Sequence, residues 1–132
     1  MLTKIKISDY MTKHIMTVKQ DMDVVVAIKQ LLDHHLTCAP VLNEKGKLAG
    51  IFSERDCMKV VLNSAYNRSM IGKVEDYMCR EIITVQADSS IVDLADRFQE
   101  TSVRSYPVLE GNDLVGIVSH TDVLRALVAC QM

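Results

Sequence analysis

Two heptapeptides of one pattern hold the residues best suited to chemistry: Gly50-Ile51-Phe52-Ser53-Glu54-Arg55-Asp56 and Gly116-Ile117-Val118-Ser119-His120-Thr121-Asp122. Serine followed three residues later by an acid is a capping box, an ordinary way to satisfy free N–H groups at a helix start. The same residues also suit a phosphorylated ligand carrying a ribose. A helix N-terminus presents free N–H groups and partial positive charge to a phosphate. Ser and Thr hydroxyls add hydrogen bonds, and a carboxylate can accept two of them from a sugar diol. The glycine would let a ligand approach the backbone closely. Both readings can hold at once, with the serine capping while the aspartate faces a ligand.

Each motif ends a longer repeat. Asp9-Tyr10-Met11, Thr17-Val18, Pro40-Val41-Leu42 and Gly50 recur as Asp76-Tyr77-Met78, Thr84-Val85, Pro107-Val108-Leu109 and Gly116. The offset is 67 residues up to the prolines and 66 at the glycines, because the second copy is one residue shorter between Leu109 and Leu114. Ile15 to Val18 and Ile82 to Val85 are β-prone. Asp21, Asp23 and Asp88 to Ser90 are N-cap candidates. Ile91, Leu94, Ala95 and Phe98 then share one helix face. Val24, Ala27, Ile28, Leu31 and Leu32 follow the same register, although Val24-Val25-Val26 is β-branched.

Ala39 to Asn43 and Leu48 to Phe52 flank a Gly46 turn, and Tyr106 to Leu109 and Leu114 to Val118 flank Gly111, so each pair predicts a hairpin. Pro40 and Pro107 are expected at strand starts. Closing helices are expected over 54–62 and 121–129. Each unit therefore reads strand, helix, strand, strand, helix: an α/β fold of two β-α-β-β-α repeats packed with pseudo-twofold symmetry. Neither could bury enough apolar surface alone. The expected division is a first repeat with its N-terminal lead-in over 1–62, a connector over 63–75, and a second repeat over 76–132. Tyr66, Met70, Ile71 and Gly72 suggest that the connector packs. Met11 and Met78 are read as core filler.

The net charge of −2 and pI near 6.0 argue against nucleic-acid binding through bulk charge. No apolar run approaches the roughly 20 residues that span a bilayer, and the first residues lack a signal-peptide core. Cys38, Cys57, Cys79 and Cys130 show no metal-ligand spacing and suit reduced thiols in the cytoplasm. His14, His34, His35 and His120 form no metal pattern. His34 and His35 are expected exposed at a helix end.

The order Thr-Val, amphipathic helix, x-Pro-Val, Gly turn, Leu-x-Gly-Ile-x-Ser-x-x-Asp resembles the cystathionine-β-synthase (CBS) domain, found as tandem pairs called Bateman modules. The resemblance covers about Asp9 to Leu127. Ser105-Tyr106-Pro107-Val108 and the run from Leu114 to Leu127 are especially similar to it. It implies a stand-alone regulatory module binding AMP, ADP or ATP, or else S-adenosylmethionine or NADH, in two mixed clefts, with no required cofactor. It also implies a homodimer and a protein partner that receives the signal.

Carried over by residue, cleft A would use Thr17, Thr37, Cys38 and Ala39 with Ile117, Ser119, Thr121 and Asp122. Cleft B would use Thr84, Ser105 and Tyr106 with Ile51, Ser53, Arg55 and Asp56. Asp would hold the ribose hydroxyls, Ser or Thr the phosphate, and the residues before Pro the adenine. Arg55 could clamp a phosphate or fill the cleft, and Tyr106 could stack on a base or block it. Cleft A is therefore the favoured site. Arg104 and His120 are further phosphate candidates, with a surface ion pair and a solvent-facing residue as their alternatives. Lys59 and Arg125, matched on the closing helices, are expected to stay solvated. The competing reading is a dimerisation or interaction module with vestigial clefts. No nucleophile–base or paired acid–base signature supports an enzyme.

Overall fold

The structure, a computed structural model, describes residues 2–67 and 72–131. Met70 and Ile71, expected to help pack the connector, lie outside the described residues. The chain divides into two packed units, one made of Met16–Ile82 and the other of Met1–Ile15 with Ile83–Met132.

In the first of these, β1 (Val18–Lys19), α1 (Val24–Asp33), β2 (Cys38–Leu42), β3 (Leu48–Ser53) and α2 (Glu54–Asn67) follow in order. The sheet runs β1-β2-β3, with β1 parallel to β2 and β3 antiparallel to it. Helix α1 begins on three valines because Asp23 caps it, accepting from the amides of Val25 (3.1 Å) and Val26 (3.2 Å). Val24, Ala27 and Leu31 are its buried stripe, whereas Leu32, expected on the same face, is 70% exposed near the helix end. It ends with Leu36 N–H on Leu31 O and His35 N–H on Leu32 O, a Schellman pattern that puts His35 at φ 54°.

The other unit carries β4 (Val85–Gln86), α3 (Ile91–Glu100), β5 (Ser105–Glu110), β6 (Asp113–Ser119) and α4 (His120–Gln131). Its sheet repeats the same order and directions. Ser90 caps α3 through the Val92 amide. Glu110 pairs with Asp113 across Gly111 and Asn112, a tighter turn than the one Asn43 stabilises through Lys45 N and Lys47 N. That turn is where the second copy drops its residue.

Pro40 and Pro107 lie inside strands rather than at their starts, opposite Ile51 and Ile117. Each strand is central, yet its parallel neighbour pairs only with Val41 and Leu42, or with Val108 and Leu109. The prolines thus sit where no ladder bond is owed.

Packing and repeat divide the chain differently, because the lead-ins are structural parts of sheets distant in sequence. Ile7, in a 3-10 turn over Ile7–Asp9, is 1% exposed in the core with Val85, Ile91, Leu94 and Val118. The amides of Ile7, Ser8 and Ile91 bond to Ser89 O, Ala87 O and Ile5 O. In the Met16–Ile82 unit, Val74 plays the same part, buried with Val18, Val24 and Val41. Its neighbours Gly72 and Glu75 bond to Val24 and Gln20. The start of the expected connector is helical, as α2 runs on to Asn67.

Candidate functional site

The two aspartates of the repeated motif are the only charged residues in the buried class among the described residues, each 3% exposed. They stand in the first turns of α2 and α4, where each strand passes directly into a helix. Asp56 Oδ2 accepts from Ser53 N (2.9 Å) and Ser53 Oγ (3.0 Å), while Ser53 Oγ accepts from Asp56 N at 3.4 Å. This is a reciprocal capping box. Asp122 Oδ2 likewise accepts from Ser119 N (2.8 Å) and Ser119 Oγ (3.3 Å).

The other carboxylate oxygen is also engaged. Lys59 Nζ lies 3.3 Å from Asp56 Oδ1, and the Arg125 guanidinium pairs with Asp122 Oδ1. Both cations were expected to stay solvated. Their side chains are 59% exposed, but an i+3 position one helical turn on brings the head back over the acid.

The motif glycines serve the lead-ins. A Cβ on Gly50 would stand 2.7 Å from Cys79 O and 2.9 Å from Met78 Sδ. One on Gly116 would stand 2.7 Å from Thr12 O and 2.8 Å from Met11 Sδ. Met11 and Met78 thus lie over glycines, and Thr12 and Cys79 bridge Ile117 and Ile51 through paired backbone bonds. The backbone of Ile51 and Ile117 is accordingly occupied by the chain itself.

The residues before each proline meet their own unit's motif. Cys38 pairs with Ser53 and Ala39 with Phe52, and Thr37 O accepts from Glu54 N at 2.9 Å. Ser105 pairs with Ser119 and Tyr106 with Val118. Ala39 is fully buried, and Thr37 and Arg55 are exposed. Thr17 stands one residue before Val18, which pairs with Val41 of β2, and lines a cavity of about 440 Å³ with Lys19, Asp21, Gln30 and Asn43. Thr84 lines another of about 350 Å³ with Ser89, Asp93 and Arg97, and its carbonyl accepts from Arg97 at 3.5 Å.

The Tyr106 side chain belongs to the core of its own unit. Its ring is 1% exposed, tilted against Phe98 at 4.9 Å, and its hydroxyl bonds to Thr101 Oγ1 at 2.8 Å. A tyrosine whose hydroxyl finds a partner can be buried whole. His120 is exposed at the start of α4 but sets its ring edge-on to Phe98 at 4.3 Å. Thr121 and Arg104 are exposed.

Among the described residues, no three His, Cys, Asp or Glu gather as a metal site, and no helix is long and apolar enough to cross a membrane. His34 and His35 are exposed as expected. Burial first, then the carboxylates of Asp56 and Glu54, pushes the Cys57 thiol above its ordinary range.

A family model described as CBS domain matches residues 7–63 and 74–129. The chain is 32% identical over 127 residues to a homoserine O-acetyltransferase of Methanococcoides burtonii, spanning 96% of this chain and 25% of that protein. An uncharacterised 17.7 kDa protein of Acidianus ambivalens is 32% identical over 92% of this chain and 73% of its own length. Among solved structures, CBSX2 in complex with AMP matches at TM-score 0.84 and 25% identity, covering 96% of this chain and 98% of that one. The CBS domain pair of protein MJ0100, in complex with 5′-methylthioadenosine and S-adenosyl-L-methionine, matches at TM-score 0.78 and 26% identity, over 97% and 98% of the two chains.

Proposed function

The chain belongs to the CBS domain family, and from that premise we propose that it is a regulatory module that binds an adenosyl ligand and signals to a partner protein. The observation that carries this is the duplicated Ser–Asp pair, its aspartate buried in the first helical turn at the end of each sheet. A buried carboxylate beside free helix N–H groups suits a ribose diol joined to a phosphate. That similar CBS pairs were crystallised with AMP, or with 5′-methylthioadenosine and S-adenosyl-L-methionine, supports the ligand class.

In this reading Asp122 and Asp56 receive ribose. Thr121 or Arg55, with the helix N–H groups, takes phosphate, with Arg104 and His120 at its edge, while the Ser119 and Ser53 hydroxyls keep capping the aspartates. Thr17, Thr84, Ile51 and Ile117 line the base. Thr37, Cys38, Ala39, Ser105 and Tyr106 flank it; Ala39 and Tyr106, whose side chains lie in the cores, do so through backbone. The module acts in the cytoplasm without catalysis of its own. It pairs with a second copy through apolar helix faces left exposed at matching positions: Met58, Val61 and Leu62 on α2, and Leu124, Leu127 and Val128 on α4.

A second reading has its own observation. Both carboxylates are engaged by their own caps and cations, as an interaction module with vestigial clefts would have them. Thermal shift with AMP, ADP, ATP, S-adenosylmethionine and NADH separates the two, since a ligand of the folded state raises the melting temperature. A shift lost in Asp122→Ala or Asp56→Ala supports binding. No shift at millimolar ligand supports the vestigial reading, and product chromatography of the same mixtures reports any turnover.

A further inference from the structure

The ion pairs on the two buried aspartates restrict what those carboxylates can accept. A carboxylate offers about four lone-pair positions, two on each oxygen. On Asp122, Ser119 N and Ser119 Oγ take both positions of Oδ2, and Arg125 takes one of Oδ1. On Asp56, Ser53 N and Ser53 Oγ take Oδ2, and Lys59 takes one position of Oδ1. One acceptor position is left on each residue.

A 2′,3′-diol donates two hydrogen bonds, so one existing donor must yield. The serine amide is fixed in the backbone. The serine hydroxyl donates from the residue that opens the turn, and releasing it would leave a half-buried O–H without that acceptor. The cation costs least to release, because its side chain is already 59% exposed and its charge can return to water.

The geometry points to Arg125 and Lys59 as diol latches: each closes the second acceptor site of its aspartate, and a ribose carrying both hydroxyls opens it. A sugar with a single hydroxyl donates once, fills the remaining position and leaves the latch shut. The two basic residues therefore set how strongly the sites distinguish ribose from 2′-deoxyribose. The inference rests on the proposed adenosyl reading and concerns the selectivity of that site.

Calorimetry with AMP and 2′-deoxy-AMP on the full chain tests it, comparing wild type with the double variant Arg125→Met/Lys59→Met. Loss of positive charge weakens attraction for the phosphate of both nucleotides alike, so the ratio of their dissociation constants isolates the sugar. Removing an ion pair whose cation is exposed, at about 0.2–1 kcal/mol, should move that ratio about 1.4- to 5-fold in favour of AMP. A ratio that stays fixed, or moves toward 2′-deoxy-AMP, overturns the latch and leaves the adenosyl reading standing. Absence of binding by either nucleotide to either protein overturns AMP as the ligand, and the latch with it.

Discussion

Thr12 and Ile117 exchange both of their backbone hydrogen bonds, at 2.8 and 3.0 Å, and this bridge passes directly over Gly116. The repeated glycine is thereby fixed by the chain's own lead-in: a Cβ there would lie 2.7 Å from Thr12 O, which is backbone and cannot swing away.

Gly116→Ala and Gly50→Ala should each cost roughly 1–3 kcal/mol through forced backbone displacement. Urea denaturation of the single variants measures it. An unchanged midpoint would mean that the lead-ins are not held where the bridges place them.

Ile7 is buried to 1% exposure in a core built from Val85 to Val118. Ile7→Ala should destabilise by about 2–5 kcal/mol. Hydrogen exchange should quicken at the Ile91 and Ile117 amides, whose acceptors lie on the lead-in. Loss of protection spread evenly over the chain would count against a local docking role.

What could be read from sequence was what is local. Alternation and 3.6-residue periodicity report on neighbours a few positions apart, so all four helices and both hairpins were expected where they occur, with ends shifted by a few residues, most at α2. The pairing of Ile7 with Ser89 links segments far apart in sequence, and the 3-10 turn holding Ile7 has no periodicity to announce it. A faint signal existed: Lys6-Ile7 and Lys73-Val74 extend the repeat upstream, and the Lys6 and Lys73 amides are both capped by the acid three residues on. The core position of the Tyr106 ring depends on Phe98 and Thr101, partners outside its strand that local patterning does not report. Lys59 and Arg125 stay largely exposed, as expected, while their pairing with the acid one turn back depends on side-chain reach that exposure alone does not report.

His35 occupies the left-handed region at φ 54°, where a Cβ costs about 1–2 kcal/mol and glycine has no such penalty. Part of the gain is offset by the greater freedom of glycine in the unfolded chain. His35→Gly should therefore raise stability by about 0.5–1 kcal/mol. A lower melting temperature in differential scanning calorimetry would contradict this.

The Cys57 thiol, pushed up by burial and then by Asp56 and Glu54, holds its proton more tightly folded than unfolded. Its contribution to stability is present below the ordinary thiol range and is lost as pH rises through the raised value. Wild type should lose stability relative to Cys57→Ala on titration into that alkaline range. In native protein Cys57 should alkylate far more slowly than the exposed Cys79. Parallel melting curves across the range, or equal alkylation rates, would refute the assignment.

Leu124, 60% exposed on α4, and Met58, 57% exposed at the matching place on α2, belong to the faces proposed to pair copies. Leu124→Asp should shift sedimentation from dimer to monomer, while removal of an exposed side chain alters the monomer by no more than about 0.5 kcal/mol. A wild-type chain already monomeric at tens of micromolar would dismiss the proposed pairing.

The division of the chain into Met16–Ile82 and the flanking Met1–Ile15 with Ile83–Met132 also fixes an order of events at the ribosome. The inner unit is contiguous and holds every residue of its own sheet once Ile82 has emerged. Ile7, made before the inner unit, must wait for strands made after it. Synthesis thus delivers one completed unit while the segment ahead of it remains uncommitted, so that segment joins its own core only after the inner unit is finished.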